Sequence, residues 1–181
     1  MENVLFETDW LEVHHLVLED AAPYIQMHGD AEVMDQIPAP LMSQQEALAD
    51  LKLHINNTGN ANVKVKIYAI AEKKSGEFIG TCALVDMDDN QVEIGYRLQK
   101  AYWGQGFGTE LAQGLIAFAF EQFDYSSVLG IADAENLASK RILEQLMTLQ
   151  KETVDPDSGR PEFHYTVSRK QFQQQNKQPK T

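Results

Sequence analysis

The sequence predicts a mixed α/β chain, with a mostly antiparallel sheet of about six or seven strands and helices on both faces. Three observations predict it. Helix-forming stretches lie near the start, three strands joined by short turns fill the middle, and a strand, a glycine-rich loop, a helix, a strand and a helix follow.

Trp10 to Leu18 alternate and are rich in β-branched and aromatic residues, which predicts a first strand ending before Glu19-Asp20. Asp20 stands where it would cap the helical stretch Ala21 to Gly29. A short helix from Ala31 to Ile37 is stopped by Pro38 and Pro40. Ser43-Gln44-Gln45-Glu46 has the spacing of a capping box, in which serine and glutamate each satisfy an orphan backbone N–H, and opens a helix to about Asn57. Strands follow at Val63 to Ala71, Phe78 to Met87 and Gln91 to Leu98. Their connections, Lys74-Ser75-Gly76 and Asp88-Asp89-Asn90, are short enough to imply an antiparallel meander.

After Gly108 the apolar period becomes helical, with Leu111, Leu115, Phe118 and Ala119 recurring up to about Phe123. A strand at Ser127 to Ala132 and a helix from Asn136 to about Leu146 come next. Strands near Leu149 to Val154 and Glu162 to Ser168 flank a turn at Asp155 to Gly159. The chain has no internal repeat, and its 181 residues with 43% hydrophobic content suit one domain, residues 1–169. Residues 170–181 offer nothing apolar after Phe172 and are expected to be a disordered polar tail.

No apolar run approaches the roughly 20 residues that span a bilayer, and the first residues lack a leader pattern, so a cytoplasmic location is expected. A formal net charge of −12 repels a phosphate backbone, which argues against general nucleic-acid binding. The five histidines show no metal-ligand spacing, and no metal site is expected. Cys82, the single cysteine, lies among small and apolar residues and reads as a structural thiol.

The informative stretch runs from Glu93-Ile94-Gly95-Tyr96 into Tyr102-Trp103-Gly104-Gln105-Gly106-Phe107-Gly108-Thr109. Glycines let backbone approach a ligand, and the N–H groups of a helix start favour an anion, so phosphate is the natural guest. A Walker loop is excluded because no Gly-Lys-Ser/Thr follows. A dinucleotide-binding unit would use Asp133 as its ribose acid. It is disfavoured, because the third glycine comes one residue early and several strands precede the unit.

This stretch resembles the acetyl-CoA loop of the GNAT superfamily, whose Arg/Gln-x-x-Gly-x-Gly/Ala pattern opens a helix. Trp103 stands at the usual Arg/Gln position, a departure similar to the RimJ/RimL branch of ribosomal-protein N-acetyltransferases. Leu16-Val17-Leu18-Glu19-Asp20-Ala21, Asp30-Ala31-Glu32-Val33-Met34 and Asn136-Leu137-Ala138-Ser139 also resemble that family, and the likeness spans Leu11 to Val167.

The resemblance implies the GNAT fold and acetyl transfer from acetyl-CoA to a primary amine, either a protein N-terminus or a small amine. It implies that N–H groups from Gly104 through Thr109 hold the pyrophosphate, and that Glu93 to Tyr96 pair with the pantetheine arm. Cofactor contacts are thus expected at Ile94, Gly95, Tyr96, Trp103, Gly104, Gln105, Gly106, Phe107, Gly108, Thr109, Asn136 and Ser139. Glu93 is either the general base or an ordinary strand glutamate; its parity places it with Gly95 and Arg97. A backbone N–H near Ile94 or Gly95 would stabilise the oxyanion.

The tyrosine that many relatives use as proton donor is Leu143 here, which leaves Ser139, or a water it holds, or a plain helix-start serine. The family's Gly-Phe is replaced by Met147-Thr148, which predicts an irregular start to the next strand. Tyr102 and Trp103 either pack or line the site. The acceptor groove is expected between residues 35–42 and 56–62. The rival reading is a non-catalytic acetyl-CoA sensor, and a homodimer is a family-level expectation.

Overall fold

The computed structural model describes residues 3–35, 40–156 and 158–175. Its strands are β1 (Val4–Glu7), β2 (Leu11–His15), β3 (Val65–Glu72), β4 (Phe78–Met87), β5 (Gln91–Leu98), β6 (Ser127–Asp133), β7 (Thr148–Val154) and β8 (Pro161–Ser168). Its helices are α1 (Ala21–His28), α2 (Ala31–Met34), α3 (Gln44–Asn56), α4 (Phe107–Gln122), α5 (Leu137–Leu146) and α6 (Arg169–Gln175). The strands form one sheet in the order β1-β2-β3-β4-β5-β6-β8-β7. Neighbours are antiparallel except β5 and β6, whose parallel pairing is reached through the α4 crossover.

Strand alternation divides the molecule into two cores. Val92, Ile94 and Leu98 of β5 face a large cluster with Leu111 and Leu115 of α4 and Leu143 of α5. Tyr24 and Met27 of α1, Val33 of α2 and Ala47 and Leu51 of α3 pack on the opposite face with Ala69 and Phe78. Local chemistry sets the boundaries. Glu46 Oε2 accepts the Ser43 N–H at 2.8 Å while Ser43 Oγ accepts the Glu46 N–H at 3.3 Å, the reciprocal cap read from the sequence. Asp89 and Asn90 both take φ 58°, the left-handed geometry that turns β4 tightly into β5.

Several expectations are corrected. The sheet has eight strands; β1, too short to show a period of its own, is held where Glu110 of α4 accepts the Trp10 N–H at 2.8 Å and the Thr8 hydroxyl. The first predicted strand ends at His15, and Asp20 turns its carboxylate back onto the Val17 N–H at 2.9 Å instead of capping α1. The helix expected to reach Ile37 ends at Met34, and residues 36–39, with the Pro38 stop, lie outside the described residues. The chain also stays ordered past residue 169. Phe172 of α6 packs tilted against Phe120, ring centroids 5.0 Å apart, so a single aromatic supplies the burial that the polar composition hid; residues 176–181 lie outside the described residues. The irregularity expected near Met147-Thr148 is a register shift between Leu149 and Lys151.

Candidate active site

The parallel ladder between β5 and β6 runs from Gln91↔Ser127 to Ile94↔Gly130 and stops. Beyond it β5 stays paired to β4 as far as Leu98, and β6 stays paired to β8 as far as Asp133. The two strands therefore diverge and leave backbone edges at Gly95–Leu98 and Ile131–Asp133 that can accept an added strand. A cleft of about 610 Å³ opens there.

The glycine loop closes one end. Gly104 and Gly106 take φ of +72° and +89°, values that side-chain-bearing residues adopt only with strain, and Gly106 is the N-cap of α4. Among the described residues, no backbone N–H from Gly104 through Gly108 donates to a protein acceptor; the first that does is Thr109, to Gly106 O at 3.1 Å. The loop therefore presents a run of unpaired donors at a helix N-terminus, a fitting cradle for a phosphate group. Trp103 is anchored by its indole N–H to Leu98 O at 2.8 Å and forms part of the wall.

The cleft brings together Glu93, Ile94, Gly95, Tyr96, Trp103, Gly104, Gly106, Gly108, Thr109, Asn136 and Ser139. Two expected residues stay out of its wall. Phe107 is buried in the core against Trp10 and Tyr102, and the Gln105 side chain turns back to Ala101 O at 2.8 Å, which leaves only their backbone for a ligand. Asn136 caps α5 by accepting the Ser139 N–H at 3.0 Å, so the Asn-x-x-Ser spacing also has a local structural cause. Tyr102, though at the cleft, gives its hydroxyl to Glu77 at 2.9 Å.

Glu93 lies beside the point where the strands part. Burial, and then the charge of Glu162, raise its carboxyl above the usual range. Glu162 is a residue the sequence reading missed. It reaches the cleft from β8, where it accepts from the Thr153 hydroxyl at 2.9 Å and lies 2.6 Å from His164 Nε2. Tyr96 was expected at the cofactor, but not the part its hydroxyl could play: that hydroxyl is buried and makes no well-formed hydrogen bond. Burial pushes its phenol up to about 12, against a weaker downward pull from neighbouring Ser139. Leu143 is buried over Gly130, where a Cβ would sit 2.7 Å from its Cδ2, and offers the site only an apolar surface. Asp133 is neutralised by Arg160 at 3.2 Å and accepts the Glu135 N–H at 2.8 Å, so it serves the turn after β6. Burial pushes the Cys82 thiol up, which fits a structural role. No group of acidic, histidine or cysteine side chains suited to a metal ion occurs among the described residues, and no helix there is long and apolar enough to cross a membrane.

A family model described as an acetyltransferase (GNAT) domain matches residues 11–146. The chain belongs to the GNAT acetyltransferase family. Within it, the chain is 31% identical over 150 residues to N-acetyltransferase p20 of Bacillus licheniformis, an uncharacterised protein, covering 80% of this chain and 82% of that one. Solved acetyltransferase structures share the fold, two of them with a bound cofactor. RimL, a ribosomal-protein N-acetyltransferase in complex with coenzyme A, superposes with a TM-score of 0.78 at 17% identity, covering 91% of this chain and 97% of that one. The microcin self-immunity acetyltransferase MccE, in complex with acetyl-CoA and AMP, gives 0.75 at 16% identity, covering 88% and 93%. The fold expected from the sequence is thus the GNAT fold, and the protein is an acetyltransferase.

Proposed function

We propose that the protein transfers acetyl from acetyl-CoA to a primary amine in the cytoplasm, by direct attack of the amine on the thioester. The observation that carries this reading is the gap between β5 and β6, with unpaired loop N–H groups at one end and the half-buried Glu93 carboxylate at the other. The N–H groups from Gly104 to Gly108 would hold the pyrophosphate, with the α4 dipole behind them. The free edge of Gly95–Leu98 would pair with the pantetheine amides, and its first N–H would lie near the acyl oxygen. Acetyl-CoA supplies an activated acyl group.

The protein must then move protons. A primary amine arrives as ammonium, and Glu93, its affinity for a proton raised by burial, is suited to accept one. The departing sulfur needs a proton. Ser139 is one donor, and the unpartnered Tyr96 hydroxyl beside it is a second whose buried position fits the same task. The acceptor itself is not dictated by the fold.

Purified protein incubated with acetyl-CoA and a panel of amines and N-terminal peptides should release free thiol only when an accepted amine is present. A Gly106→Trp variant should release none. Calorimetric binding of acetyl-CoA without thiol release across the panel would favour the sensor reading. Absence of acetyl-CoA binding would refute the proposal.

A further inference from the structure

The floor of the cleft on the α1–α3 side is made by alternate residues of β5: Glu93, Gly95 and Arg97. Arg97 is a poorly satisfied cation. Its Nη1 donates to Met34 Sδ at 3.1 Å, a weak acceptor, and its Nε is buried with no partner at all. Among the described residues no carboxylate lies within ion-pair distance of it. Asp50, the acid whose field it feels, is already engaged by the Tyr24 hydroxyl at 2.6 Å and by His54 at 3.5 Å. A half-buried guanidinium without a counter-charge is costly, so an anion entering the cleft would relieve it. Its planar fork suits a carboxylate.

The opposite end of the same floor is acidic, with Glu93 and Glu162 together. The Cα atoms of Glu93 and Arg97 are four strand residues apart, about 13 Å. Between them Gly95 leaves the floor bare: a Cβ there would meet nothing closer than Ala83 Cβ at 3.8 Å. Charge of both signs on one open strip matches a ligand with charge of both signs.

We infer that the acceptor amine carries a carboxylate, which Arg97 binds while Glu93 receives the amine. The acceptor class is then an amino acid or short peptide with a free carboxylate within reach of its amine. This rests on the acetyltransferase reading above and narrows it.

The test compares matched pairs: glycine, β-alanine, γ-aminobutyrate and a dipeptide with a free C-terminus, each against its amide, with acetyl-CoA and thiol detection. A C-terminally amidated peptide bearing an acidic side chain near its N-terminus separates the two sources of the carboxylate. The wild-type protein should prefer at least one acid over its amide by about tenfold or more in kcat/KM. Arg97→Gln should cut kcat/KM for that acid by roughly 30-fold or more through KM, and Arg97→Lys should recover part of it. Equal use of acids and amides by the wild-type protein would overturn the inference and leave the acetyltransferase reading intact.

Calorimetry with the N-acetylated acid and its amide reads the Arg97 subsite without turnover. Binding of the acid that is lost in Arg97→Gln supports it, and acid and amide binding alike refutes it. Absence of thiol release with every amine would instead count against the acetyltransferase reading. Thermal unfolding of the variants shows whether any loss is simply a loss of folded protein.

Discussion

At the glycine-loop end of the cleft the groups offered to a ligand are backbone N–H donors contiguous from residue 104 to 108, while at the Glu93 end they are side chains brought from α2, β5 and β8. The first end depends on backbone conformation, positive φ at Gly104 and Gly106 and the start of α4, so it tolerates almost any neighbouring side chain. The second depends on which side chains the sheet happens to juxtapose, and a single substitution can change its charge. A backbone-built end suits a constant partner, and a side-chain-built end suits one that changes between relatives.

The sharpest way to break this contrast is at Gly106. Tryptophan there must adopt φ +89° and place an indole over the unpaired N–H groups, so Gly106→Trp should weaken acetyl-CoA binding at least 100-fold by calorimetry. Substitutions at Glu93 or Glu162 should leave that affinity within about twofold, because neither carboxylate belongs to the loop. Comparable losses from both ends would mean that the cleft binds its two ligands as one unit.

Glu93→Gln should have the next largest effect. Loss of a general base costs on the order of 10²-fold or more in kcat, read by thiol release at saturating acetyl-CoA. Stability should move the other way. Glu93's carboxyl is raised in the folded state, so its favourable contribution is present at pH below the unfolded carboxylate range and is lost as pH rises through the raised folded value. Above that raised value the charged carboxylate is therefore a burden on folding. Glu93→Gln should unfold at a higher temperature than the wild-type protein, and the gap should vanish in acid.

Legibility in the sequence follows the same division. The loop could be read because all its determinants are local: three glycines at alternate positions, a flanking aromatic and a change from strand to helical period. Glu93 was singled out by the family resemblance, and strand parity gave only the face it lies on; its raised affinity for protons was not legible, because it comes from burial and then from Glu162, which arrives from β8 through the sheet order β5-β6-β8. Arg97 looked like any strand arginine until Met34, far away in sequence, proved to be its acceptor. The Tyr96 phenol faces the helices by parity, and nothing in the pattern says that its hydroxyl lacks a partner. β1 and α6 were missed for a related reason: each is short and is held by one or two distant contacts, Glu110 to the segment after β1 and Phe120 to Phe172.

A smaller effect sharpens the electrostatic side of the comparison. Glu162 adds to the rise in Glu93's proton affinity, after burial, so removing its charge in Glu162→Gln should shift the acid limb of the pH–rate profile toward lower pH. Activity at saturating substrate should persist. An unmoved limb would assign the whole effect to burial.

The smallest expected effect lies outside the cleft and tests whether its scaffold depends on the last helix. Phe172 packs tilted against Phe120 of α4 at 5.0 Å, and Arg169 ties the same region with hydrogen bonds to Phe120 O at 2.7 Å and Tyr125 O at 2.8 Å. The ring is partly exposed, so Phe172→Ala forfeits the aromatic pair and part of the burial, about 1–2 kcal/mol. For a domain of this size that corresponds to a fall in Tm of roughly 2–8 °C. Because Phe120 lies near the C-terminal end of α4 and the loop donors lie at its N-terminal end, acetyl-CoA affinity should not follow. A variant that loses both would show that α6 holds the whole length of α4 in register, and the glycine-loop end would no longer be independent of its surroundings.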